Sequence, residues 1–465
     1  MVSLVPRSCI AVTGLALLLA AVPADAAKSR QMRWVHAGHI GEKGTGPGKF
    51  PGETGGIAVD QDCGDVFIAD PEQRRIHKFS MNGRHISTFG DPSGGAGRID
   101  EPHGIEIKQT FGGRVNIDGP PPACGPITTV SPTLMVADWG SSETSARVTF
   151  FGLDGSFNGA WCERATAGCT KVGSITPFAG GPADPNGLDP FPNDVDAKGD
   201  RVWISGALEG RIREYDSSGQ LIRHSESGYN PPTGPSALSV GDAPAYLWAS
   251  DDSRSQVTLF DLNPANDSIN AITSLGGGGF DSNTPGKFGY PTGVEVGPAG
   301  RFFDDLFVLD GERVQVFTPG GDDGSQIARP ELRSVIQLPG RNYGGEFVDV
   351  RYDGTVYVTG RYSAGADVYT PGVILRFKVK ALKDRRIRLS GRIFPPHARR
   401  RIRFDRLEQG WESIGSAPLA QGTRFKHVWR APRAGKTYAL RAFFKDPHRY
   451  HADRASEIKQ VRAKD

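Results

Sequence analysis

The chain has few of the features from which catalysis or metal binding is usually read. Its 465 residues include only 5 Cys and 4 Met. None of the cysteines forms the close Cys-x-x-Cys knuckle of a zinc ribbon. No Gly-x-Ser-x-Gly elbow, phosphate loop, HExxH helix or dinucleotide fingerprint occurs. The DxNxxND text starting at Asp261 lacks the glycine and terminal glutamate of a calcium loop. Long apolar runs are also missing, except one from Cys9 to Val22, preceded by a lone arginine and followed by Ala24-Asp25-Ala26. That run is shorter than the ~20 residues a membrane span needs, and its flanks are those of a secretory signal, residues 1–26. Export is therefore expected, to a secreted, extracellular or cell-envelope location, with no transmembrane segment left after cleavage.

What the chain does have is repetition. The text FPGETGGIAVDQDCGDVFIADPEQRRIHKFSMNGRHISTFG, Phe50 to Gly90, contains four short apolar runs separated by Gly and Asp turns. Its first run, GIAV, returns as HGIEI, NDVDA, SALSV, TGVEV and EFVDV; its second, VFIAD, as LMVAD, VWISG, LWASD, LFVLD and VYVTG. The third run, RIHKF, returns five more times, the last as VILRF at Val373. Four short strands per copy describe one blade of a β-propeller, and such blades bury their faces only by stacking. Only five fourth strands follow in order, and RWVHAGHIG, Arg33 to Gly41, reads as the missing sixth. Closure by that strand leaves no open sheet edges.

GKFPGETGGIAVDQDCGDVFIADPEQRRIHKF resembles the NHL repeat, and GKFGYPTGVEVGPAGRFFDDLFVLDGERVQVF resembles it nearly as well. The resemblance implies an all-β chain whose residues 33–380 form a six-bladed NHL-type propeller. The repeat itself is scaffold and reports no activity; members include peptide-, RNA- and protein-binding propellers. In such folds the residue two places before the first-strand Ile or Val faces the mouth of the axis. Here those positions are Gly55, His103, Asn193, Ser236, Thr292 and Glu346. EPHGIEI around His103 resembles the metal-ligand text of related amidating lyases, which need three histidines where this chain places Asn, Ser and Thr. The ring is thus either a hydrated polar channel or a weak mixed-ligand cation site built on His103, Asn193 and Glu346.

Asp70, Asp138 and Asp310, with Arg75, Arg147, Arg211 and Arg313, recur once per copy and are expected to cap turns or form ion pairs. Two Pro/Gly-rich insertions, 108–132 and 163–190, interrupt the second copy. They are either a binding rim or decoration. Export leaves Cys63, Cys124, Cys162 and Cys169, which allow three pairings. A local Cys162–Cys169 bridge is the simplest, leaving Cys63 for Cys124.

Beyond the repeats the composition changes. Residues 378–465 hold 24 Lys and Arg against 8 Asp and Glu, a net of +16, while the remainder holds 31 against 44, a net of −13. Short alternating strands there resemble a small immunoglobulin-like or fibronectin-like sandwich, residues 381–465. Arg386, Arg388 and Arg392 are expected to share one face, as are Arg399, Arg401 and Arg403. Such faces attract polyanions; the alternatives are a solvated surface or docking on the acidic repeats. Together these readings give a monomeric, non-enzymatic exported protein without cofactor. Its propeller takes a protein, peptide or glycan ligand, and its basic domain meets an anionic cell-surface polymer. The alternative is an extracellular metal-dependent lyase or lactone hydrolase with one divalent cation near His103.

Overall fold

The computed structural model describes residues 34–464 apart from 91–92, 94, 109–131, 141–145, 163–168, 173–191, 207–209, 226–235, 242–245, 278–283, 299–303, 321–327, 339–344, 373, 395–399, 409, 421–423, 445–453 and 456–458. The expected signal segment, Cys124, Arg399 and most of both insertions lie outside the described residues. Among the described residues every regular element is a strand, and no helix is long and apolar enough to cross a membrane.

Alternating apolar runs and glycine turns fold locally into antiparallel sheets of sequential strands. The first sheet is Ile57–Val59, Val66–Asp70, Arg75–Phe79 and His85–Phe89. The second is Pro102–Lys108, Thr133–Asp138, Arg147–Gly152 and Phe157–Cys162. A disulfide from Cys162 to Cys169 turns the chain back, and Lys171–Val172 adds a fifth, parallel strand to that sheet. The innermost strands of the next four sheets are Pro192–Lys198, Ala237–Val240, Pro291–Val296 and Gly345–Val350. The last sheet is completed from the far end of the chain: Trp34–Ile40 pairs antiparallel with Ala366–Pro371, and Trp34 Nε1 donates to the Gly354 carbonyl at 2.8 Å.

Each sheet is too thin to bury its faces alone, so apolar clusters form between neighbours. Ala58, Phe67 and Ile76 of the first sheet meet Ile105, Leu134 and Val136 of the second. Similar clusters join the second to the third, and so on to the sixth. Phe347, Tyr357 and Ala366 of the last sheet then meet Ile57, Val59 and Ile68 of the first. Repeated four-stranded sheets joined face to face in this way are consistent with a propeller. The recurrent aspartates end the second strands and are buried. Asp138 accepts from Asp100 N at 3.0 Å and Glu101 N at 2.6 Å, and Asp310 from Gly289 N and Tyr290 N, each at 2.8 Å. Three of the recurrent arginines lie beside them, Arg313 at 2.9 Å from Asp310, Arg147 at 3.8 Å from Asp138 and Arg75 at 3.9 Å from Asp70. The pairs therefore fasten loops to strands.

One strand differs from the sequence expectation. VILRF is not the third strand of the last sheet; that place is taken by Ala366–Pro371, and Ile374–Ala381 pairs along its whole length with Arg386–Phe394. The hairpin partner just downstream offers an eight-residue ladder with a matching apolar face, which outcompetes the repeat pattern. Arg386–Phe394 in turn pairs with Arg424–Arg430. A second sheet is built on Arg401–Leu407, Trp411–Pro418 and Thr437–Phe444. The two enclose one core around Phe377, Ile387, Leu389, Phe404, Phe425 and Leu440.

Candidate functional site

The six innermost strands contact one another in order, the last reaching the first. In four of them the register slips near the start: between Pro102 and Ile105, Pro192 and Asp194, Pro291 and Gly293, and Gly345 and Val348. Such a bulge re-aims the side chains before it. The residues affected are those the repeat pattern selects, His103, Asn193, Thr292 and Glu346.

Most of that set binds sideways to the next sheet. Asn193 Nδ2 donates to the Ser236 carbonyl at 2.8 Å, and Thr292 Oγ1 to the Gly345 carbonyl at 2.6 Å. Gly56 N donates to the His103 carbonyl at 2.5 Å, and Thr359 Oγ1 to the Gly55 carbonyl at 2.7 Å. These contacts stitch one sheet to its neighbour. His103 and Glu346 differ. The His103 imidazole lies flat on the Trp139 indole, centroids 4.1 Å apart and planes at 2°, with Phe347 edge-on at 5.6 Å. Its Nδ1 is buried without a partner. Burial, then the Arg361 guanidinium, lowers its pKa to about 4, so the ring is neutral at physiological pH. Glu346 is pushed up to about 7 by burial, against the pull of Arg361. Arg361 sits with its side chain 57% exposed, 2.9 Å from Glu346 and 3.2 Å from Glu53. Tyr362 and Tyr290 are exposed nearby, and burial with a hydrogen bond to Asp252 raises the Tyr290 phenol to about 12.

A deeper level carries the larger electrostatic feature. Three residues beyond each mouth position lie Ala58, Glu106, Asp196, Ser239, Glu295 and Asp349. Four carboxylates thus meet along the inner strands. Glu106 is raised well above its ordinary value by burial and then by Asp196, Asp349 and Asp194; Glu295 is raised by burial and then by Asp349, Glu106 and Asp196. Burial brings Asp349 to about 7 and Asp194 to about 8. Several of their oxygens hold neighbouring sheets together. Asp349 accepts from Val59 N at 2.6 Å, Asp194 from Leu238 N at 2.8 Å and Asp196 from Val240 N at 2.5 Å. Ser239 Oγ donates to Glu295 at 3.2 Å and accepts from Val296 N at 2.9 Å.

Sequence reasoning missed this level, although its signal was legible. GIEI, DVDA, GVEV and FVDV each set a carboxylate in the middle of an otherwise apolar strand. At the mouth the charge that acts on His103 is the Arg361 guanidinium, which also pairs with Glu346. Among the described residues no three His, Cys, Asp or Glu side chains are grouped to hold a metal ion.

In the basic domain, Arg386, Arg388 and Arg392 alternate with the buried Ile387 and Leu389 and so share an outward face. Arg401 and Arg403 lie on the other sheet. Arg403 is held by Asp405 at 2.8 Å and lies over the Phe443 ring, and Arg401 bonds Ser416 at 3.1 Å.

No family model and no curated protein matches the sequence. Among solved structures the chain is similar to a gluconolactonase from Xanthomonas campestris, at 14% identity and TM-score 0.43, over 74% of this chain and 95% of that one. It is similar also to the calcium-binding protein regucalcin from Agrobacterium tumefaciens, at 13% and 0.41 over 72% and 93%, and to a luciferin-regenerating enzyme, at 14% and 0.42 over 69% and 91%. Likeness at this level bears on no residue of the site.

Proposed function

We propose that the chain is an exported, non-enzymatic binding protein. In this reading the six sheets are the blades of a closed NHL-type propeller, and the C-terminal sheets form an immunoglobulin-like sandwich. The propeller takes a protein, peptide or glycan ligand at the mouth of its axis, and the basic domain holds the molecule at an anionic surface. The observation that carries the reading is the make-up of the mouth. A half-exposed guanidinium between two carboxylates, beside exposed tyrosines and a neutral histidine stacked on tryptophan, offers both polar and flat apolar contact. Arginine and tyrosine in that setting are the residue types that dominate binding energy. Peptide and glycan arrays should yield a ligand whose affinity falls roughly tenfold or more in Arg361→Ala and Tyr362→Ala, an energetic hot spot. Unchanged affinity in both variants removes the mouth as the site.

A second reading, hydrolysis of a lactone within the axis, is favoured by the carboxyl groups of Asp349 and Asp194, which hold protons near neutrality. Such groups are suited to donate a proton to a leaving oxygen. A lactone panel assayed with and without added divalent metal, on the parent and on Glu106→Gln, separates the two. Turnover abolished in the variant favours the enzyme.

A further inference from the structure

The three-stranded C-terminal sheet presents an outward face made almost wholly of cations. Strand alternation sends Leu375, Phe377, Ile387, Leu389 and Phe425 into the core. The residues between them face out. The register sets Arg376 opposite Arg392 and Arg392 opposite Arg424, three guanidinium side chains in one rung. The next rung is Lys378, Ser390 and Lys426, and the one after it Lys380, Arg388 and Val428. Side chains directly opposite across strands stand roughly 5 Å apart, and like charges there destabilise the pairing.

Among the described residues no carboxylate lies within these three rungs to offset that repulsion. Arg386 is paired with Asp384 at 3.1 Å, but none of Arg376, Lys378, Lys380, Arg388, Arg392, Arg424, Lys426 and Arg430 forms an ion pair among the described residues. Among the described residues Arg388 Nε is buried with no hydrogen-bond partner. Among the described residues the other acids of the domain belong to the second sheet and its turns, where Asp405 serves Arg403 and Arg441, and Glu412 serves Arg406. The first two rungs also line a cleft of about 680 Å³, bounded by Pro418 of the second sheet and by Ala420, which bridges to Arg424.

We propose that this face binds a linear phosphate polymer, whose phosphates lie in the cleft against Arg376, Arg392 and Arg424 and continue along the lysine rung. The inference rests on the anchoring half of the function proposed above and names its ligand. Three adjacent guanidinium forks concentrate charge and donors that match oxygens on closely spaced phosphates, each fork giving bidentate bonds. Singly charged uronates spaced by sugar rings leave such a rung partly unmatched. Within these three rungs no residue is aromatic, so none offers a base a ring to stack on, and Val428 is the one apolar residue.

Binding of fluorescent inorganic polyphosphate to the full chain, titrated over a range of salt, tests this. Polyphosphate should bind at least tenfold tighter than polygalacturonate of equal charge, with affinity falling steeply as salt rises. Each of Arg376→Ala, Arg392→Ala and Arg424→Ala should cost roughly tenfold, the scale of a charge-assisted hydrogen bond, while Arg406→Ala, on the other sheet and paired with Glu412, leaves binding unchanged. The triple Arg→Lys variant keeps the charge; it should keep the salt dependence and lose most of the affinity. All these side chains are exposed, so melting temperatures should match the parent. Equal binding of polygalacturonate or of anionic lipid vesicles, lost together in the triple alanine variant, overturns the phosphate assignment and leaves the anchoring reading standing. No binding of any polyanion at low salt removes both.

Discussion

Two regions of the molecule treat charge in opposite ways. Along the inner strands of the repeats, carboxylates lie close together, and those of Asp194, Asp196 and Asp349 accept from backbone N–H groups of the next sheet. On the three-stranded C-terminal sheet, cations point outward and lie close together, and among the described residues only Arg386 pairs with an acid. Both arrangements set like charges side by side. In the first the backbone donors repay the crowding, so the charge is part of the architecture. In the second no ion pair among the described residues does so within the three rungs, which is the setting on which the phosphate-polymer proposal rests.

Removing Trp34–Ile40 is the largest perturbation that bears on this contrast. It strips the outer strand from the last sheet and exposes Tyr369 and Val368, so melting temperature should fall by more than ten degrees, roughly 2–4 °C for each kcal/mol lost. A deletion variant with the parental melting curve would show that the strand is dispensable for closure.

Next in size is Asp349→Ala, which leaves Val59 N buried without its acceptor; urea unfolding should show a loss of about 1–3 kcal/mol. Asp349→Asn keeps an acceptor and should cost less. A larger loss in the asparagine variant would mean that the negative charge, not the hydrogen bond, holds the two sheets together.

The pH dependence sharpens the difference further. Asp194 and Asp349 titrate near 8 and 7 when folded, above the ordinary 3.8, so over that window the folded chain holds protons that the unfolded chain releases. Their contribution is therefore complete at acid pH and is lost as pH rises from about 4 through 8. Melting temperature should decline across that range, and Glu106→Gln with Glu295→Gln should flatten the decline. A curve that rises with pH would contradict the burial of these groups.

The smallest effect is expected on the cationic sheet. Arg424→Ser removes a like-charge neighbour from Arg392 and should be neutral or stabilising by a few tenths of a kcal/mol, whereas Arg403→Ala, which breaks the bond to Asp405, should destabilise by up to about 1 kcal/mol. Equal losses at both positions would mean that the cations of the two sheets do the same work.

The repeat text made the sheets, their strand order and the recruitment of Trp34–Ile40 legible, because turn glycines and alternation are local signals. The strand at Ile374 was misplaced because its pattern suits either partner and only the competing ladders decide. The mouth positions were found by alignment, yet their sideways contacts depend on a bulge that no residue type announces. The carboxylate level was written in four strands and passed over. The cationic rungs needed the register between Arg392 and Arg424, which composition does not contain.

The pairing of Trp34–Ile40 with Ala366–Pro371 also sets a timetable. The hydrogen bond from Trp34 to Gly354 spans 320 positions, so the strand synthesised earliest waits unpaired until almost the whole ring exists. Closing so long a loop costs entropy that rises only slowly with length, but contacts this remote come late and slow the search. Until they form, the partly built ring carries two bare strand edges, and the interval before closure is when another molecule's strand can take the vacant place.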